Sequence, residues 1–208
     1  MSYCTLVTGA TGGIGTQTIK LLKSKGRHVL ALGHELDLTD PKALDEVEGL
    51  VKAEYEGVDG FVHLAGFDRP APLGMIDDLT ADDLYRIHAL FPMRFLGWMG
   101  KKRNHGPGAA AVLVSSEVLS SGEAKGHAAY AAAKGALEAM ARVAAAELEA
   151  QGVRVAMLRL PPVDTKMAHG WVDKLAPDQR PALLPATEAA KRIVDEFENG
   201  AIVWTIDK

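Results

Sequence analysis

The chain has 208 residues, enough for one domain that buries a sizeable core without a disulfide or metal staple. Hydrophobic residues make up 48% and charged residues 24%, and the net charge of −4 excludes a nucleic-acid footprint. The single Cys4 excludes an intrachain disulfide, and the histidines show no metal-ligand spacing, so no metal site is expected.

Short apolar runs alternate with helical patterns along the chain. Tyr3 to Thr8 reads as a buried strand, Ile14 to Lys25 as a helix stopped by Gly26, and Arg27 to Leu32 as a second strand. Thr39 is expected to cap a helix that has Pro41 in its first turn and runs to about Tyr55. Phe61 to Leu64 is a strand, and Thr80 is expected to cap a helix through the 80s and 90s, kinked at Pro92. The basic cluster Lys101-Lys102-Arg103 reads as the positive end of that helix. Ala110 to Val114 is a strand, Ala128 to Gln151 a helix and Val153 to Leu160 a strand. Thr187 caps a final helix to Glu198, and Ala201 to Ile206 is the last strand. This alternation predicts a doubly wound α/β domain spanning the chain, its sheet mostly parallel and its helices on both faces. The segment from Asp164 to Ala186 is rich in proline and polar residues, has no period, and is expected to be a mobile substrate loop.

Two patterns carry chemistry. After the first strand comes Thr8-Gly9-Ala10-Thr11-Gly12-Gly13-Ile14-Gly15. Glycines there allow a tight turn and close approach of a ligand, and the helix that follows offers free N–H groups to phosphate. A dinucleotide pyrophosphate is the natural occupant. The second pattern is Tyr130-Ala-Ala-Ala-Lys134. Residues at i and i+4 share one helix face, and an ammonium beside a phenol lowers the tyrosine pKa, which suits it to acid–base work. Ser115 and Ser116, ending a strand upstream, add hydroxyls.

Together these motifs resemble the short-chain dehydrogenase/reductase family, from residue 3 to about 206 and in family order. Gly9, Thr11, Gly12, Gly13, Ile14 and Gly15 look like its cofactor turn, and Asp37-Leu38-Thr39-Asp40 like its adenine segment. Ala65-Gly66 match the end of its Asn-Asn-Ala-Gly motif. Pro161, Val163, Thr165 and Met167 resemble its nicotinamide-contacting stretch. The resemblance implies a Rossmann-like fold with a seven-stranded sheet. It also implies NAD(P)-dependent interconversion of a carbonyl and an alcohol. Tyr130 would be the acid–base and Ser116, with Ser115 as the close alternative, would hold the substrate oxygen. Lys134 would tune Tyr130 and hold the nicotinamide ribose.

Several positions depart from the family pattern. His63-Leu64 replace the two asparagines, His88 stands where the relay asparagine is expected, and Pro162 replaces a glycine. Only four residues separate Leu32 from Asp37, so the third strand is expected to be very short. Gly33 takes the position of the acidic residue that binds the ribose of NAD; His34 could touch a 2′-phosphate and Glu35 could bind ribose, which leans the cofactor towards NADP over NAD. The alanine-rich helix from Ala128 to Ala150 suits close packing on a symmetry mate, so a homodimer or homotetramer is expected. The departures keep open a non-catalytic dinucleotide-binding regulatory or scaffold role and, more remotely, an epimerase or dehydratase. No apolar run reaches the roughly 18 residues that span a bilayer, and the residues before Thr5-Leu6-Val7 do not read as a secretory leader, so none is expected; the expectation is a cytoplasmic enzyme of a small-molecule substrate, without membrane or nucleic-acid partners.

Overall fold

Six strands lie parallel: β1 (Tyr3–Thr8), β2 (Val29–Leu32), β3 (Gly57–His63), β4 (His105–Ser116), β5 (Arg154–Leu160) and β6 (Trp204–Thr205). Their order is β2-β1-β3-β4-β5-β6. The computed structural model describes residues 2–120, 125–199 and 204–205. The remainder of the last expected strand, at 201–203 and 206, lies outside the described residues.

Among the described residues seven α-helices accompany the strands: α1 (Gly13–Ser24), α2 (Ala43–Glu54), α3 (Asp78–Tyr85), α4 (Phe91–Met99), α5 (Ala128–Glu149), α6 (Lys166–Val172) and α7 (Ala186–Asn199). Adjacent strand residues face opposite sides of a sheet. Leu6, Phe61 and Leu113 accordingly pack with Val47 of α2, Phe95 of α4 and Leu137 of α5. Their neighbours Val7, Val62 and Val112 pack with Leu22 of α1 and Ile193 of α7. Burial on both faces explains why the strands read as unbroken apolar runs. The chain moves outward from β1 to β2 and returns to the other side of β1 for β3. That reversal opens a crevice at the carboxyl ends of β1 and β3, the usual binding position in such sheets.

Local chemistry moves several predicted boundaries. No strand forms between Leu32 and α2, so the sheet has six described strands and not the expected seven. Consecutive turns fill the interval instead: Asp37 Oδ1 accepts from the Thr39 amide at 2.9 Å and its hydroxyl at 2.7 Å, and Asp40 Oδ1 accepts from the Lys42 amide at 2.7 Å. Thr39 therefore serves that turn and does not cap α2. Asp77 caps α3, accepting from the Thr80 amide at 2.8 Å and the Thr80 hydroxyl at 2.9 Å, so Thr80 is the capped residue and not the cap. Thr187 lies inside α7, whose Glu188 and Ala189 amides reach back to the Pro185 carbonyl.

The helical run through the 80s and 90s is divided by a π-helical turn at Arg86–Leu90. Pro92 lacks the amide that would bond the His88 carbonyl, and a wider turn absorbs the loss. The segment expected to be a mobile substrate loop carries α6, capped by the Thr165 hydroxyl, and has Asp164 N–H donating to the Leu184 carbonyl and Leu184 N–H to the Pro162 carbonyl, both 2.8 Å. No described helix is long and apolar enough to cross a membrane.

Candidate active site

The glycine turn fits a phosphate because backbone fills it where side chains would otherwise stand. Gly9 has φ +67°, and a Cβ there would lie 2.6 Å from the Leu64 carbonyl carbon. A Cβ on Gly15 would lie 2.1 Å from the Gly9 oxygen. Gly12 N–H closes the turn on Gly9 O at 3.0 Å. α1 starts immediately afterwards with no side-chain cap and no acidic residue in its first turn, so its leading amides remain for an anion. Gly13 faces Thr165, whose Cγ2 would lie 3.0 Å from an added Cβ. The ends of β1, β3 and β5 thus meet around one cradle. At its outer edge the exposed Glu35 folds back, Oε1 accepting from the Gly33 amide at 2.7 Å, and this bond holds its carboxyl below the usual carboxylate range. His34 is exposed beside it. Asp37 belongs to the turn described above, and Leu38 sends its side chain into the core.

His63, where the family pattern has asparagine, closes a structural network. Nε2 lies 2.9 Å from the Ile87 carbonyl, which only accepts, so Nε2 carries the proton. Nδ1 then accepts from the Thr8 hydroxyl at 2.8 Å, and that oxygen accepts in turn from the Leu64 and Ala65 amides at 3.1 and 3.2 Å. Burial and the neighbouring Lys134 push His63 down to about 3, so the ring is neutral. This network fixes the Leu64-Ala65-Gly66 strand end against the glycine turn.

Tyr130 and Lys134 lie in the first two turns of α5, the ammonium nitrogen 5.6 Å from the centre of the phenol ring. Lys134 is buried and donates to the Val114 carbonyl at 2.7 Å; burial lowers it to about 7 against the pull of Glu138. Tyr130 moves the opposite way from the expectation based on spacing. Burial and then the Asp68 carboxylate raise its pKa well above the ordinary phenol value, while the Ser116 hydroxyl opposes them. Ser116, half-buried at the end of β4, is therefore the serine brought to the phenol.

Ser115 is not. Its hydroxyl donates at 2.7 Å to buried Glu138, which Arg159 grips through Nε at 2.6 Å and a second nitrogen at 2.7 Å. Its partner network runs along α5 and β5, which corrects its candidacy as the oxygen-holding group. His88 stacks edge-on to Tyr130, ring centres 5.1 Å apart. Its Nε2–H donates to the Phe67 carbonyl at 2.8 Å, and burial with Lys134 keeps the ring neutral. The buried Nδ1 lone pair has no partner among the described residues. Gly66 makes room for this ring, since a Cβ there would lie 2.1 Å from His88 Cε1.

Next to Tyr130 the structure adds a pair whose partnership the sequence pattern does not announce: Asp68 Oδ2 and His127 Nδ1, 2.6 Å apart. Only the position of His127, one helical turn before Tyr130, hints at it.

A parallel sheet with a glycine cradle at its switch point and a Ser116–Tyr130–Lys134 cluster beside it defines a dinucleotide-fold protein of the short-chain type. The family model described as enoyl-(acyl carrier protein) reductase matches residues 13–202. The chain belongs to the short-chain dehydrogenase/reductase family. It is 29% identical over 188 residues to the uncharacterized oxidoreductase YbbO of Escherichia coli K12, covering 80% of this chain and 68% of that one. It is 28% identical over 209 residues to the 3-oxoacyl-(acyl-carrier-protein) reductase FabG of the same organism, covering 89% and 82%. It is 26% identical over 224 residues to D-threitol dehydrogenase of Mycolicibacterium smegmatis, covering 97% and 85%. Among solved structures, 4-hydroxyisoleucine dehydrogenase complexed with NADH shares the fold at TM-score 0.82 and 18% identity, covering 95% and 92% of the two chains. A short-chain dehydrogenase from Burkholderia cenocepacia J2315 in complex with NADP shares it at 0.74 and 22%, covering 96% and 86%.

Proposed function

We propose that this protein interconverts a carbonyl and an alcohol with NADP or NAD, through Tyr130, Ser116 and Lys134. The observation that carries the reading is the Tyr130 phenol, set among Ser116, His88 and Lys134 at the same sheet edge as the glycine cradle. The likeness to a 3-oxoacyl-(acyl-carrier-protein) reductase and to D-threitol dehydrogenase supports it.

The nicotinamide group, when bound, supplies hydride for reduction and takes it in oxidation. Tyr130, kept protonated by burial, passes its phenolic proton to the carbonyl oxygen and recovers it in the reverse direction. Ser116 donates a hydrogen bond to the same oxygen, stabilising the negative charge that develops there. Lys134 has three donors, of which Val114 takes one; the others serve a ribose, and its charge stabilises the phenolate left behind. His88 replaces the family's asparagine. Anchored on the Phe67 carbonyl, it offers the Nδ1 lone pair to a water that returns protons from solvent to this centre.

The Tyr130→Phe variant tests the reading directly. Turnover should fall by roughly 10² to 10⁴ while cofactor affinity, measured by fluorescence titration, changes little. Full activity in this variant overturns the mechanism.

The outward faces of α4 and α5 support self-association. Ala132, Ala139, Val143 and Ala146 on α5 are exposed, as are Met93 and Gly97 on α4. We read this small, apolar surface as the contact of a homodimer or homotetramer. Sedimentation equilibrium at micromolar concentration should show that assembly, and monomer alone would exclude it.

A further inference from the structure

Asp68 is the acidic group of this site that the mechanism leaves without a task. Its side chain is only 7% exposed, yet Oδ1 has no hydrogen-bond partner among the described residues. Leaving a buried carboxylate oxygen unpaired is costly, more so than for a neutral group. The position is firmly held: Ala71 N–H donates to the Gly126 carbonyl at 2.9 Å, fastening the Asp68 loop to the turn before α5. Gly126 adopts φ +84° in that turn, which then delivers His127 to the carboxylate.

His127 donates through Nδ1, because a carboxylate accepts. Its ring meets Trp171 of α6 edge-on, centres 5.3 Å apart. It also sits one helical turn before Tyr130, on the same side of α5. Asp68, His127 and Trp171 therefore form a compact corner beside the reacting phenol. One side is the acceptor Asp68 Oδ1, the second is the imidazole ring and the third is an indole.

We propose that this corner is the substrate-recognition subsite, and that Asp68 Oδ1 accepts a hydrogen bond from a hydroxyl or ammonium group carried close to the reacting carbon. The enzyme then prefers vicinal diols, amino alcohols and their ketone counterparts over plain alcohols and ketones, and the apolar remainder of the substrate lies along Trp171. Asp68 is here a specificity residue; the inference rests on reading Tyr130 as the reacting end.

Cyclohexanol, 1,2-cyclohexanediol and 2-aminocyclohexanol form a matched set of probes. With the wild-type enzyme and its preferred oxidised cofactor, kcat/KM for the diol or the amino alcohol should exceed that for cyclohexanol by roughly tenfold or more, the size of a hydrogen bond to a charged group. In Asp68→Leu the ratio should fall to about one. Any effect of Asp68 on Tyr130 itself acts on all three probes and cancels in the ratio. Where the leucine variant does not fold, Asp68→Asn carries the test, with a fall of at least about threefold because a neutral amide oxygen is the weaker acceptor. The two donor-bearing probes separate hydroxyl from ammonium recognition.

Calorimetric binding of the same probes to Tyr130→Phe, with and without oxidised cofactor, gives a readout free of turnover. Preferential binding of a donor-bearing probe without turnover in the wild type sustains the subsite and removes the carbonyl chemistry. Equal binding of all three, equal kcat/KM in the wild type, or an unchanged ratio in the Asp68 variants overturns the subsite and leaves the carbonyl chemistry standing.

Discussion

Two buried histidines, His63 and His88, lie near Lys134 and are both held neutral by burial, yet they are built differently. His63 uses both ring nitrogens, one on Ile87 and one on Thr8, and the Thr8 hydroxyl completes the network by accepting two amides. His88 uses one nitrogen on Phe67 and leaves the other without a partner among the described residues. A buried polar atom without a partner costs about 1–3 kcal/mol, so a fold tolerates it where something else completes it during function. Under the proposed mechanism the contrast separates the scaffold of the site, centred on His63, from its working face, centred on His88, Asp68 and Tyr130.

The two serines at the end of β4 give the largest test of that division. Ser116→Ala should lower kcat by roughly 10²-fold, as loss of one donor to a developing oxyanion does, with a stability loss of only about 0.5–1 kcal/mol from the long bond it accepts from the Val118 amide. Ser115→Ala should do the reverse, removing a hydrogen bond to the buried Glu138 carboxylate and costing about 1.5–3 kcal/mol in urea denaturation. Equal losses of activity in the two variants would erase the distinction.

The histidines come next in size. His63→Leu should cost about 2–3 kcal/mol of stability, because it strands the Ile87 carbonyl and leaves Thr8 without an acceptor. His88→Leu strands only the Phe67 carbonyl and removes an orphan, so its stability cost should be about 1 kcal/mol or less while turnover falls at least about tenfold. The pH dependence sharpens this. His63 titrates near 3 when folded and near 6.5 when unfolded. Between those values the unfolded chain binds the extra proton. Stability therefore falls as pH drops from 6.5 towards 3, by about 1.4 kcal/mol per unit from this group. His88 adds a loss of the same sign. Urea denaturation from pH 7 to pH 4.5 should show a shallower loss in His63→Leu than in wild type.

The parts of this site that a short stretch of chain determines were legible before the fold was known. The glycine turn is one, because Gly9 takes a positive φ and Gly15 packs on the Gly9 backbone within the same short stretch. The spacing of Tyr130 and Lys134 is another, because helix geometry alone sets it. What the spacing could not give was the direction of the Tyr130 shift, which depends on burial and on Asp68, distant in sequence. The same holds for Ser115, whose partner Glu138 is shared with Arg159 on a different strand. The π-helical turn that carries His88 arises where Pro92 interrupts helical bonding inside a packed layer, and residue periodicity carries no mark of it. The missing third strand was misjudged because Asp37 and Asp40 gave their neighbours' amides side-chain partners in place of a neighbouring strand.

The smallest expected effect concerns Glu35, at the rim of the cradle. The sequence leans towards NADP because Gly33 replaces an acidic residue and His34 stands next to it. In the fold, Glu35 turns back on the Gly33 amide, and its carboxyl, held below the usual carboxylate range, is ionised at neutral pH. A Cβ on Gly33 would lie 2.6 Å from Glu35 Oε2 and 2.8 Å from Thr11 Cγ2, so the carboxylate stands within a side chain's width of the phosphate turn. There it can accept from the ribose hydroxyls of NAD and repel the 2′-phosphate of NADP, against the pull of His34. Glu35→Gln should therefore raise the affinity for NADPH relative to NADH by roughly two- to fivefold, as removal of an exposed charge does. Because the group is exposed, the shift should shrink as ionic strength rises from about 0.01 to 0.2 M. A preference that does not move with the substitution would leave His34 and the backbone of the turn to set cofactor choice.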